Sequence, residues 1–73
     1  ALGMNTEVIF NNRGKAKMNA GDVEQSVSDF DKAIALRADY TTALRNRASA
    51  NFTLKRYDKV VTDLSPILAK GDA

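Results

Sequence analysis

Apolar residues recur at intervals of three and four along most of the chain, as they do in amphipathic helices. The clearest stretch places six apolar side chains on one helical stripe: Val23, Val27, Phe30, Ala33, Ile34 and Leu36. Similar patterns run from Val8 to Met18 before it, and through 43–52 and 57–68 after it. No stretch alternates polar and apolar residues in the manner of a half-buried strand. The pattern therefore predicts four helices and no strands.

Residues that start or stop helices separate these four segments. Gly21 is expected to end the first, and Asp22 followed by Gln25 has the spacing of a capping box. Asp39 is the expected cap of the third segment, and a last turn is expected near Lys55. The chain is thus predicted to form two pairs of helices joined by short turns.

Pro66 interrupts the pattern of the fourth segment. A proline inside a helix removes one backbone donor, and its ring opposes the carbonyl four residues earlier, here that of Thr62. The preceding residue, Ser65, is also disfavoured in helical conformation. We therefore expect a kink or break near Ser65, followed by a short helical continuation over 66–70.

The chain resembles itself when it is shifted by 34 residues. Identical pairs at this offset are Asn12/Asn46, Arg13/Arg47, Ala16/Ala50, Val27/Val61, Asp29/Asp63 and Ala35/Ala69. A period of about 34 residues with two helices in each unit is typical of tetratricopeptide repeats.

Residues 7–40 and 41–73 each resemble one tetratricopeptide repeat. Phe10 stands where the family has a large aromatic residue, and Gly14 stands at the small position where the two helices of a repeat touch. The sequence departs from the family pattern at Lys17, Ser26, Ala38, Asn51, Val60 and Pro66. The resemblance implies an all-α fold of two tandem helix-turn-helix repeats stacked as a short right-handed superhelix. Residues 1–6 precede the first repeat, and we expect them to be disordered or foreign to the native sequence.

Composition narrows the function classes. The 73 residues carry a net charge of +2 and contain neither cysteine nor histidine, the latter being the commonest general base and metal ligand. We therefore expect no enzyme activity, no cofactor and no metal site. The mild charge is no footprint for nucleic acid, and no apolar run is long enough to cross a membrane. The start of the chain does not read as a signal peptide, so a cytoplasmic location is expected.

The resemblance implies that the chain binds a protein or peptide. In the family, the first helix of each repeat lines a concave groove that holds an extended peptide. Transferred by position, the candidate groove residues are Asn12, Lys15, Asn19, Arg45, Asn46 and Ser49. Amide side chains both donate and accept, so they can pair with any peptide backbone, and the two cations can meet an acidic group or a C-terminal carboxylate. The alternative interpretation of this surface is a solvated polar face.

Lys15 and Thr42 argue against one known mode of peptide binding. Some family members hold a C-terminal carboxylate in a clamp of lysines and asparagines from three repeats. Here Lys15 stands where that clamp has an asparagine, and Thr42 where it has a lysine, so we do not expect a clamp.

Arg13 and Arg47 share one register and are expected to be structural, each reaching an aspartate such as Asp29 or Asp63.

Two repeats are fewer than the roughly three that a stable array usually needs. The apolar side chains of the fourth segment have no following helix within these residues to cover them. Two alternatives therefore stay open beside peptide binding: the chain is a fragment of a longer array, or it associates weakly with itself.

Overall fold

A computed structural model of the protein describes residues 5–69, and within them it contains four α-helices and no strand. The helices are α1 (Thr6–Asn19), α2 (Val23–Leu36), α3 (Thr41–Thr53) and α4 (Tyr57–Ala69). The predicted all-α fold is confirmed. The structure begins α1 at residue 6, inside the segment expected to be disordered, and residues 1–4 of that segment lie outside the described range.

The helices form two hairpins that stack on each other. α1 packs on α2, and α3 packs on α4. The second hairpin meets the first through α3, which packs against α2 and also touches α1. Within residues 5–69, the backbone of α4 does not come close to either helix of the first hairpin. The first helices of the two units, α1 and α3, are therefore neighbours, and a furrow separates α2 from α4.

The two hairpin turns have the same backbone geometry. Gly21 has φ of +96° and Lys55, at the same register of the second unit, has φ of +64°. In each turn the next N–H closes onto the preceding helix, from Asp22 to the Lys17 carbonyl and from Arg56 to the Asn51 carbonyl, at 2.8 Å in both cases. This is the Schellman ending of a helix, which requires a left-handed residue at this position. The turns predicted near these residues are confirmed.

The predicted side-chain caps do not form. Asp22 precedes α2, but its side chain makes no capping hydrogen bond. The residue that precedes α3 is Tyr40, not Asp39, whose carboxylate instead accepts from Arg37 at 3.3 Å. The Ser26 hydroxyl, which the capping-box pattern did not include, donates to the Val23 carbonyl at 2.6 Å.

Pro66 does not break the last helix. α4 runs without interruption from Tyr57 to Ala69, so of the two outcomes expected near Ser65 the break does not occur in the described residues, and residue 70 lies outside them. The kink stays a prediction. The Ser65 hydroxyl donates to the Val61 carbonyl at 2.7 Å. Thr62, whose carbonyl loses its usual donor, is exposed, so water can supply the missing hydrogen bond.

Small residues let the helices approach closely. Gly14 of α1 lies against the ring of Phe30, and a Cβ atom on Gly14 would come within 2.6 Å of the Phe30 Cε1 atom. This close approach confirms the predicted helix contact. The fully or nearly buried apolar side chains are Phe30, Ala33, Ala43, Leu44, Ala48, Ala50 and Ile67. Four of these seven are alanine, so the core of the described residues buries few large apolar side chains.

Candidate peptide-binding groove

The six residues predicted to bind a peptide all lie on the two neighbouring helices α1 and α3. Asn12, Lys15 and Asn19 are exposed on α1, and their spacing of three and four places them on one stripe. Within residues 5–69, none of these three side chains has a hydrogen bond or ion-pair partner. The first unit thus offers two amides and one ammonium group to solvent.

The second unit contributes a smaller open surface. Arg45 and Ser49 are exposed on α3, one turn apart. Asn46 is half-buried, and its Nδ2 atom donates to the Asn11 Oδ1 atom at 2.9 Å. This bond joins α3 to α1 and occupies one of the three amides among the six candidate residues. Asn46 therefore holds the hairpins together on the floor of the candidate groove, where Asn11 itself is only 5% exposed.

An ion pair between an exposed arginine and a buried aspartate joins α1 to α2. The Arg13 guanidinium donates to Asp29 through Nε at 3.0 Å and through Nη2 at 2.8 Å. The Lys17 ammonium adds a contact of 3.3 Å to the same carboxylate. These hydrogen bonds, from Arg13 above all, hold the pKa of Asp29 below its usual value of 3.8, although burial opposes them. The predicted structural role of Arg13 is confirmed.

The second unit repeats this pair. Arg47 donates to Asp63 through Nη2 at 2.6 Å, and its Nη1 atom also reaches Asp31 of the first hairpin at 2.7 Å. Burial lowers the pKa of Arg47, but the hydrogen bonds to Asp63 and Asp31 outweigh it and leave the pKa raised. Asn51 donates to Asp63 at 3.3 Å, as Lys17 does in the first unit. The structural role expected for Arg47 is confirmed as well.

The sequence did not reveal what Lys17 and Asn51 do. They occupy one register position, and both donate to the aspartate that the arginine of their unit also binds. An arginine and a polar donor four residues later, with an aspartate sixteen residues after the arginine, is a pattern visible in both units. The side chain of Asn51 is nearly fully buried, and its Oδ1 atom has no hydrogen-bond partner.

The described residues limit the chemistry of the surface. Residues 5–69 contain no group of three or more acidic, histidine or cysteine side chains arranged to hold a metal ion. Over the same residues, no helix is long and apolar enough to cross a membrane. The arrangement on α1 and α3 offers hydrogen bonds and positive charge to a ligand.

Comparison with known proteins finds relatives that are much longer than this chain. The mitochondrial import receptor subunit TOM70 of Saccharomyces cerevisiae, in two strains, is 34% identical over 65 residues, which is 89% of this chain and 10% of the relative. Protein FlbA of Caulobacter vibrioides is 35% identical over 65 residues, which is 86% of this chain and 11% of the relative. The chain thus spans about a tenth of the length of these curated relatives.

Two other comparisons give no match. No family model matches the chain, and no solved structure matches it. The similarity to TOM70 and the four-helix fold are compatible with a pair of tetratricopeptide-like repeats.

Proposed function

We propose that this chain is a two-repeat segment of the tetratricopeptide type and that it binds an extended peptide of a partner protein across α1 and α3. The observation that carries the proposal is the stripe of Asn12, Lys15 and Asn19, whose polar groups face solvent without partners in the described residues. Side chains that serve only the fold are paired instead, as Arg13 and Arg47 are. The similarity to TOM70, an import receptor subunit, adds support for binding of a protein.

The charge of the surface indicates the chemistry of the ligand. Lys15 and Arg45 are the two cations on this face, and both are exposed. We infer a peptide that carries an acidic side chain or its own C-terminal carboxylate near these residues. With Asn46 tied to Asn11, the backbone of the peptide is expected to pair mainly with Asn12 and Asn19. The proposed role is binding without catalysis, and a cytoplasmic location stays a prediction.

The test uses a synthetic extended acidic peptide with a free C-terminal carboxylate, and the same peptide with that carboxylate amidated. Backbone amide chemical shifts, recorded by NMR during titration, should change along α1 and α3. Lys15→Ala should weaken binding, whereas Lys59→Ala, which removes another exposed lysine, from α4, should leave it unchanged. Binding should also weaken as salt screens the ammonium and guanidinium groups.

Two results would refute the groove assignment. One is a set of shift changes confined to α2 and α4. The other is an equal loss of affinity in the two lysine variants, which would mean that only the net charge attracts the peptide. The amidated peptide separates recognition of the terminal carboxylate from recognition of acidic side chains.

A further inference from the structure

The two ends of the stack expose matching surfaces. In the first hairpin, against which α3 packs, four apolar positions are half-buried: Met18, Val23, Val27 and Ile34. Their counterparts 34 residues later are Phe52, Tyr57, Val61 and Leu68, which are 61%, 54%, 65% and 74% exposed. We call these four residues of α3 and α4 the tail face. The tail face has the register of a surface that a helix covers in the other half of the same chain.

The opposite end shows the complementary difference. Ala43 and Ala50 of α3 are 0% exposed. Their counterparts on α1, Ile9 and Ala16, are exposed, with Ile9 at 43%. We call Ile9, Ala16 and the neighbouring Arg13 the head face. The head face has the register of the surface by which α3 meets the first hairpin.

Arg47 makes a hydrogen bond across the junction of the hairpins that its counterpart in the head face, Arg13, does not make within residues 5–69. Arg47 uses Nε and Nη2 for Asp63 of its own unit, and Nη1 for Asp31 across the junction. Arg13 uses the same Nε and Nη2 atoms for Asp29, and its Nη1 atom has no partner within residues 5–69. The Arg13 side chain is 50% exposed, so an incoming acceptor can reach it.

We propose that the tail face of one copy of this chain receives the head face of a second copy, in the arrangement by which α3 and α4 sit on α1 and α2. Inside the chain, α3 packs against the half-buried residues that correspond to the tail face. The helix of a second copy that corresponds to α3 is its α1, so we assign a second copy as the occupant. The counterpart of Asp31 on the tail is Ser65, an exposed residue whose hydroxyl oxygen can accept from Arg13 of the second copy. The residues of the head face and the tail face are not among the candidate groove residues. At the edge of the contact, Asn12 of the second copy and Arg45 of the first have the register of Asn46 and Asn11, which bond across the internal junction.

Head-to-tail contact leaves one tail face and one head face free, so it builds open linear assemblies of many copies and not a closed dimer. In the internal junction Arg56 donates to Glu24 at 2.6 Å. The counterparts of this pair are Asp22 of the second copy and Asp58 of the first, which have like charges. Association is therefore weak, and it strengthens when salt screens this repulsion.

Sedimentation equilibrium at micromolar to millimolar concentrations tests the proposal on the full chain. The weight-average mass should rise with concentration and pass twice the 7.9 kDa of one chain without levelling off. Val61→Lys should keep the mass at that of one chain while the thermal melting curve stays unchanged, because Val61 is 65% exposed.

A gain in affinity is the sharper measurement. Ser65→Asp places a carboxylate at the register of Asp31, and it should tighten association by about 2- to 5-fold, the range of an exposed ion pair. Ser28→Asp makes the same change at an exposed serine of α2. Thr62, the counterpart of Ser28 in the second unit, donates within its own helix to the Asp58 carbonyl, and within residues 5–69 it makes no hydrogen bond across the junction. The Ser28 variant should therefore associate no more tightly than the unchanged protein.

Three results would overturn the proposal. A strictly monomeric mass at millimolar concentration would show that the tail face takes no second copy. A mass that levels off at a dimer, with Ser65→Asp no tighter than Ser28→Asp, would mean that the copies meet tail to tail. Unchanged association in Val61→Lys would place the contact elsewhere.

Discussion

Replacing Gly14 by alanine should destabilise the protein, although glycine-to-alanine changes in helices usually stabilise. At an exposed helical position, alanine gains about 0.8–1 kcal/mol over glycine through helix propensity. The new Cβ atom here would lie 2.6 Å from Cε1 and 2.9 Å from Cδ1 of Phe30. To restore an ordinary contact of 3.4 Å, the ring edge must retreat by about 0.8 Å into a packed core. Phe30 is 0% exposed, so the ring has no open space beside it.

Overpacking of this kind costs about 1–3 kcal/mol, which exceeds the gain in propensity. We expect a net loss of about 1 kcal/mol, or about 4–8 °C in the midpoint of thermal unfolding for a domain of this size. Circular dichroism at 222 nm, a far-UV wavelength that reports helix content, measures the midpoint. Gly14→Leu should destabilise further, because its longer side chain meets the same ring.

Two variants separate the clash from other effects. Lys15→Leu changes the exposed neighbour and should shift stability by less than about 0.5 kcal/mol. In a Phe30→Leu background, where the ring is absent, Gly14→Ala should become stabilising. A higher melting temperature for Gly14→Ala in the unchanged background would refute the packing at this contact.

Three substitutions and a change of pH test the turns and the ion pairs within the hairpins. Lys55→Gly should raise the free energy of unfolding by about 0.5–1 kcal/mol, because glycine adopts the left-handed backbone conformation of this residue without the strain that lysine has there. Gly21→Ala should lower the free energy of unfolding by about 1 kcal/mol, because it introduces that strain. Urea unfolding measures both. Asp63→Ala should cost about 2–3 kcal/mol, because it removes the buried carboxylate that accepts hydrogen bonds from Arg47 and Asn51. Acid should weaken the fold through Asp29. Because its folded pKa lies below 3.8, its contribution is present above that pH and is lost as pH falls through the folded value.

The Asp63 variant and the acid effect each have a matched control. Asp39→Ala removes an exposed carboxylate that pairs with Arg37, and it should change stability by less than about 0.5 kcal/mol. Equal effects of Asp39→Ala and Asp63→Ala would contradict the structural role of the buried pair. For the acid effect, Asp29→Asn should lose less stability than the unchanged protein between neutral pH and pH 2. A parallel loss in both proteins would show that other carboxylates dominate.

Much of the fold could be predicted from the order of residues alone. Spacing of apolar residues predicts four helices, because helical periodicity is a local property of the chain. Gly21 marks a turn, since glycine adopts positive φ at little cost. The 34-residue register, with Arg13 and Arg47 at one position, also predicts that the two units share the same internal ion pair.

Other features depended on the tertiary structure. Pro66 was expected to kink or break α4 on local grounds, but the helix continues past it, and the next residue, Ile67, is nearly buried in the core. The Asp22 and Asp39 side chains satisfy a local capping pattern, and neither makes a capping hydrogen bond. Asp22 does precede α2, whereas the turn before α3 places Tyr40, and not Asp39, next to that helix. For the groove, the sequence placed six residues on two helices, yet only the packing of α3 on α1 decided that Asn46 bonds to Asn11. Such a bond joins residues 35 apart in the chain, and no local pattern encodes which side chains meet across that separation.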